Sequence, residues 1–204
     1  MTARLVALAS GSGTNLQAVL DACRDGRLDA RVTRVIVNRR SAFARERARS
    51  AGVPEEFRPM GPYRERSDDP RAAREAYDRD LATTVADEAP DLIVQLGWMH
   101  LFTSAFLDQF PSRVVNLHPA LPGAFPGAHA IDDAWAAHQT EGLDQTGVMV
   151  HLVPDEGVDD GPVLATEQVP ILADDTRESL EARIHAVEHR LVVTAIADLL
   201  ARRP

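Results

Sequence analysis

Leu8-Ala-Ser-Gly-Ser-Gly-Thr-Asn-Leu-Gln17 carries the chain from an apolar run, Leu5–Ala9, through a glycine turn into the start of a helix. Short apolar runs and helical segments then alternate. Val32–Val37, Leu92–Leu96 and Val114–Leu117 read as strands, and 15–25, 41–51, 71–88 and 104–109 as helices. Such alternation predicts βαβ units around a mostly parallel sheet, with ligands received at the carboxyl ends of its strands. Further on, 129–142 reads as a helix, Val148–Val153 and Val163–Val169 as two strands joined by an acidic turn, and 176–201 as a long closing helix. Antiparallel pairing of those two strands would make the sheet mixed. The segment 59–73, rich in Pro, Arg and Asp, reads as a flexible excursion.

The first turn has the makings of an anion cradle. Gly11 and Gly13 permit positive φ and close backbone approach, Thr14 can cap the helix with Gln17 completing a capping box, and the first helical amides attract a phosphate. Leu16 stands where the dinucleotide fingerprint needs a third glycine, and no Lys-Ser/Thr pair follows for a P-loop. One phosphoryl group is the expected occupant. A tight structural turn without a ligand is the alternative.

The stretch Val114-Val-Asn-Leu-His-Pro-Ala-Leu-Pro-Gly-Ala-Phe-Pro-Gly-Ala-His129 ends a strand by presenting an amide and an imidazole. Residues two apart on a strand face one way, so Asn116 and His118 share a side while Val115 and Leu117 face the other. The prolines and glycines that follow favour a stiff, shaped loop. Imidazole titrates near neutrality and an amide can donate to an oxyanion, which makes His118 the candidate for proton transfer and Asn116 its companion. The turn Pro154-Asp-Glu-Gly-Val-Asp-Asp-Gly161 offers the third member. Asp159 is preferred there over Asp155, Glu156 and Asp160, and by reaching His118 it would raise the histidine's pKa. A satisfied polar pair at a strand end and a solvated hairpin are the structural alternatives. His118, His129 and His151 with Asp159 lack compact ligand spacing, and no metal is expected.

The 204 residues suit a single domain, and 45% hydrophobic with 26% charged residues is ordinary for a globular protein. With 31 acidic against 22 basic side chains, the net charge of −9 disfavours nucleic acid and anionic membranes as partners. The lone Cys23 and the lack of a spanning apolar run lead to the expectation of a cytoplasmic protein. Its assembly, monomer or homodimer, is not given by the sequence.

Taken together, these residues resemble the folate-dependent glycinamide ribonucleotide formyltransferases. The likeness runs through Ser10-Gly-Ser-Gly-Thr-Asn-Leu-Gln17, Ser41–Ala48, Arg74–Asp78, Pro90–Val94, Gly97-Trp-Met99, Asn116-Leu-His-Pro119, Phe125-Pro-Gly127, Val150-His151, Asp155–Pro162 and Glu188-His189. The resemblance implies a Rossmann-like α/β fold over 1–204, with a phosphate-binding half (1–100) and a folate-binding, catalytic half (101–204). It implies 10-formyltetrahydrofolate as co-substrate and 5-phosphoribosylglycinamide as acceptor, both small molecules, in purine synthesis.

Gly13, Thr14 and Asn15 would hold the 5′-phosphate, and His185 and Glu188 the ribosyl-glycinamide. Arg74 would meet the folate tail, while Met99, His100, Leu101, Phe102, Asn116, Asp155, Glu156, Gly157 and Val158 would frame the folate. Asn116, protonated His118 and Asp159 would carry the transfer through a tetrahedral intermediate. The chain departs from the family's usual pattern at Pro122-Gly123 and at His100, where an arginine is frequent. A methionyl-tRNA formyltransferase would be expected to add a tRNA-binding domain, and a formyltetrahydrofolate hydrolase a regulatory one. A sugar-nucleotide formyltransferase or a noncatalytic phosphometabolite-binding module are the remaining readings.

Overall fold

Leu5, Ala7 and Ala9 of β1 (Ala3–Ala9) turn to one face of a sheet and Val6 and Leu8 to the other, and all five are fully buried. A strand buried on both faces belongs in the interior of a sheet with helices on both sides. The computed structural model, which describes residues 2–202, bears this out with a seven-stranded sheet ordered β3-β2-β1-β4-β5-β6-β7. The chain runs β1, α1 (Thr14–Arg24), β2 (Ala30–Val37), α2 (Ala44–Ser50), β3 (Glu55–Phe57), α3 (Gly61–Arg64), α4 (Pro70–Ala86) and β4 (Leu92–Gln95). It continues through α5 (Ser104–Leu107), β5 (Val114–His118), α6 (Ala130–Glu141), β6 (Gln145–Leu152), β7 (Val163–Pro170) and α7 (Arg177–Ala201). The first five strands pair in parallel, while β6 runs antiparallel to both β5 and β7. Among the described residues no helix is long and apolar enough to cross a membrane.

Two apolar layers flank the sheet. Leu16, Val19 and Leu20 of α1 and Leu180, Ile184 and Ile196 of α7 pack on one face, and Tyr77, Leu81 and Val85 of α4 with Phe106 of α5 on the other. Strand order reverses at β1, whose neighbours β2 and β4 lie on opposite sides. The connections after β1 and β4 therefore diverge and leave a crevice at their carboxyl ends.

Two local expectations are corrected, and one strand, β3, stands where none was predicted. The segment 59–73 is partly helical, because Met60 is buried and Tyr63 docks edge-on to Tyr77 with its hydroxyl donating to Asp80 at 2.8 Å. The short strand β3 ahead of it carries three charged or aromatic residues and gave no apolar signal. At the first turn Thr14 does not cap α1: Gly13 occupies the cap position in the left-handed region at φ +71°, with no side-chain cap, and Gly11 has no positive φ. A Cβ on Gly13 would stand 2.8 Å from the Ala44 Cα, so glycine there lets α2 press against the turn.

The acidic turn between β6 and β7 closes through the Leu152 amide donating to the Pro162 carbonyl at 2.9 Å. A Cβ on Gly161 would collide with the Leu152 carbonyl oxygen, which is backbone and cannot swing away. Gly161→Ala should destabilise the protein by about 1–3 kcal/mol in urea unfolding, and an unchanged midpoint would show that the turn accommodates a methyl.

Candidate active site

The crevice opens into a cavity of about 530 Å³, a size that takes small organic ligands. Its walls come from Ser10 to Asn15 after β1, Arg39 after β2, Gln95 to Leu101 after β4 and Asn116 to Pro119 on β5. Gly127, Ala128 and Ile131, Val158 and Asp159, and His185 and Glu188 of α7 complete it.

Asn116 and His118 leave β5 on one side and both meet Asp159. Asn116 Nδ2 donates to Asp159 Oδ1 at 2.9 Å, His118 Nδ1 lies 3.3 Å from Oδ2, and the Gly127 amide donates to Oδ2 at 2.8 Å. Asp159 sits at φ +53°, a left-handed conformation that aspartate tolerates better than most side chains. Burial pushes its carboxyl pKa up, but the His151 ring, the Gly127 amide and His118 outweigh that and hold it below the usual carboxylate range. Asp159 is therefore an anion at neutral pH.

His118 is 3% exposed, and its Nε2 donates to the Phe125 carbonyl at 3.0 Å. Burial pushes the imidazole pKa down more strongly than Asp159 and Phe125 push it up, so His118 rests neutral at pH 7. The expected rise is thus corrected: the carboxylate is present, but the buried ring loses more by giving up water. Both ring nitrogens still face acceptors. A proton gained during reaction would leave each N–H with a partner.

The motif alone did not show His151 as part of this cluster. It faces Asn116 across the antiparallel β5–β6 pair, with Nε2 3.2 Å from Asn116 Nδ2 and 3.4 Å from Asp159 Oδ1. The alternation of β6 could have placed it on this face only with the strand register known. Ser12, Arg39 and Gln95 were likewise not read as cavity residues. His129 stands apart at the surface, and among the described residues no group of three His, Cys, Asp or Glu side chains is arranged to hold a metal.

At the other end of the cavity, Gly13, Thr14 and Asn15 form the start of α1, whose first amides have no partner within the helix. Glu188 is 4% exposed and accepts from Asn15 Nδ2 at 3.2 Å and from His185 Nδ1 at 2.6 Å. The hydrogen bond to Glu188 raises the His185 pKa against the effect of burial.

Met99, Leu101 and Val158 form a partly exposed apolar lip beside His100. Phe102 is buried and stacks on Phe106 with ring centroids 4.1 Å apart, so its side chain belongs chiefly to the core. Phe102, Asp155, Glu156 and Gly157 surround a smaller adjoining cleft. Glu156 is clamped by Arg71 and by the amide and hydroxyl of Ser104, and these bonds lower its pKa. Arg74 lines neither space, because its Nε lies 3.5 Å from fully buried Asp78 one helical turn away.

His100 is held at a pKa of about 4, first by burial and then by Arg74, Arg64 and Arg39. Between about pH 6.5 and 4 the unfolded chain takes up a proton there that the fold refuses, so this contribution to stability is complete above the window and lost as pH falls through it. His100→Gln should flatten the acid loss of stability, measured by urea unfolding at about pH 7 and pH 4.5. An equally steep loss in the variant would assign the sensitivity to other groups.

Residues 3–196 match the formyl transferase family. The chain is 43% identical to phosphoribosylglycinamide formyltransferase of Schizosaccharomyces pombe, with 98% of each chain covered. It is 37% identical to the trifunctional purine biosynthetic protein adenosine-3 of Drosophila melanogaster, covering 97% of this chain and 14% of that one. Among solved structures it superimposes on glycinamide ribonucleotide transformylase 1 of Geobacillus kaustophilus with a TM-score of 0.87 and 39% identity, covering 98% of this chain and all of that one.

Proposed function

The chain belongs to the formyl transferase family, and we propose that it moves the formyl group of 10-formyltetrahydrofolate onto the amine of 5-phosphoribosylglycinamide in purine biosynthesis. The observation that carries the proposal is a single cavity with a helix-start anion cradle at one end and the Asn116–His118–Asp159 cluster at the other. The two reactants have matching chemistry. A phosphate suits the amides of Gly13, Thr14 and Asn15, and ribose hydroxyls suit the buried Glu188 side chain that His185 holds in place. A flat, mostly apolar ring suits the lip of Met99, Leu101 and Val158, with the backbone of Leu101, Phe102 and Asp155 to Val158 at its polar edge. His100 lines the same cavity, while Arg74 turns to Asp78 and lines neither space.

The folate supplies an activated formyl carbon at a nitrogen leaving group. Neutral His118 is placed to take up a proton as the amine becomes cationic, and Asp159 and the Phe125 carbonyl accept the two N–H groups of the resulting imidazolium. The positive charge of that imidazolium would favour the oxyanion formed at the formyl oxygen, with both N–H groups kept on their protein acceptors. Asp159, already ionised, supplies the compensating charge. A cytoplasmic location fits the lone Cys23.

Purified protein should convert 10-formyltetrahydrofolate to tetrahydrofolate only when 5-phosphoribosylglycinamide is present, followed by the folate absorbance change. Turnover without the acceptor would point to hydrolysis. Absence of turnover with both would leave a phosphometabolite-binding module or another amine acceptor.

A further inference from the structure

The loop between β4 and α5 is fastened at both ends and free between them. At its start the Ser10 amide donates to the Gly97 carbonyl at 3.0 Å, and the Met99 amide donates to the Ser10 hydroxyl at 2.9 Å. At its end Thr103 gives both its amide and its hydroxyl to one oxygen of Asp78, at 2.7 and 2.8 Å. Among the described residues, the backbone amides and carbonyls of His100, Leu101 and Phe102 between these points have no hydrogen-bond partner. Leu101 borders both the cavity and the adjoining cleft. Asp78 is fully buried on the inner side of α4, where Ala73, Tyr77, Leu81, Ala82 and Val85 form an apolar stripe. A carboxylate in that stripe loses hydration that only its partners offset. Arg74 Nε supplies a countercharge 3.5 Å from the other oxygen, and Thr103 supplies the hydrogen bonds. Thr103 gives up a bond of its own to do so. It occupies the cap position of α5, yet its hydroxyl makes no bond to the helix amides and turns to Asp78 instead.

We infer that Asp78 is a positioning residue for the folate: through Thr103 it holds His100, Leu101 and Phe102 in the one shape whose free backbone groups can receive the edge of the ring. This inference rests on the formyl-transfer reading and deepens its folate end. Neither Asp78 nor Thr103 lines the cavity or the cleft, so their effect reaches a ligand only through the loop. A loop released from Asp78 divides its time among several shapes, and the apparent affinity for the folate falls by the fraction that remains competent. The Asn116–His118–Asp159 cluster and the helix-start cradle make no bond to Asp78 or Thr103. Acceptor binding and the chemical step are therefore spared.

Asp78→Ala would leave Arg74 without its countercharge and endanger the fold, so Thr103 carries the test. Thr103→Val removes the hydroxyl but keeps the amide and the shape. It should raise KM for 10-formyltetrahydrofolate by about tenfold, with KM for 5-phosphoribosylglycinamide and kcat within about twofold of wild type. Thr103→Ser keeps the hydroxyl and should stay within about threefold of wild type in every constant. A second arm needs no turnover. In hydrogen exchange of the unliganded protein, peptides spanning 97–104 should exchange faster in Thr103→Val than in wild type or Thr103→Ser, with those of β5 and α1 unchanged. An unchanged folate KM in Thr103→Val, an equal rise in Thr103→Ser, a rise shared with the acceptor KM, or unaltered exchange across 97–104 would each overturn the inference. Absence of turnover in the wild-type protein would instead fail the formyl-transfer reading, and the exchange arm alone would then decide whether Asp78 sets the loop.

Discussion

His118→Ala should lower kcat by about three orders of magnitude while leaving the affinity for phosphoribosylglycinamide within about twofold. The separation follows from distance along the cavity. His118 sits at the end of β5 with Asp159, whereas the anion cradle is the start of α1. Without the imidazole, no neutral base stands beside the amine and no cation forms beside the oxyanion, while Asp159 remains as a lone negative charge close to the developing one. That residual carboxylate makes the loss larger than for removal of a simple donor. The pH profile offers a second reading of the same residue. Because burial holds His118 below its ordinary pKa, the base stays unprotonated through neutral pH, and kcat/KM should fall on the acid side only below about pH 6.5. The acid limb should be absent from the residual activity of His118→Ala. Near-normal turnover, measured by folate absorbance with matched thermal melts, would remove His118 from the mechanism.

The fold was largely legible because its signals are local. The alternation of apolar runs and amphipathic segments places β1, β2, β4 and β5 within a residue or two of their observed bounds, and the crevice follows from strand order. What escaped depends on tertiary contact. The strand β3 is three residues, Glu55 to Phe57, held by pairing with Val35 to Val37, which no periodicity in 55–57 reveals. Met60 and Tyr63 order a proline-rich segment by docking on α4. The site shows the same division. Asn116 and His118 are two apart in sequence, so their shared face can be read directly. The partnership of His151 with Asn116 needs the antiparallel register of β5 and β6. The direction of the His118 shift needs its burial, a property of the closed fold that opposes the charge visible in the sequence.

Thr14→Asp should raise KM for phosphoribosylglycinamide by about a hundredfold, equivalent to roughly 2.7 kcal/mol, and leave folate affinity within about twofold. Thr14 is the first residue of α1, capped by Gly13 without any side-chain bond, and it lines the cavity. A carboxylate there has two opposite effects. On the helix it is favourable by about 0.3–1 kcal/mol, because its charge meets the positive end of the helix dipole. Against a phosphate at the same amides it is unfavourable, since two unit charges about 4 Å apart repel by roughly 4 kcal/mol at the effective dielectric of a protein surface. The variant should therefore melt no lower than wild type while binding the acceptor far more weakly, a combination that damage to the fold cannot produce. Thr14→Asn has nearly the same shape without the charge and should stay within about fivefold of wild type in KM. If Thr14→Asp bound the acceptor as well as wild type, the glycine turn would be a structural connection between β1 and α1, and the phosphate would have to be held elsewhere in the cavity, with Arg39 on its wall as one candidate.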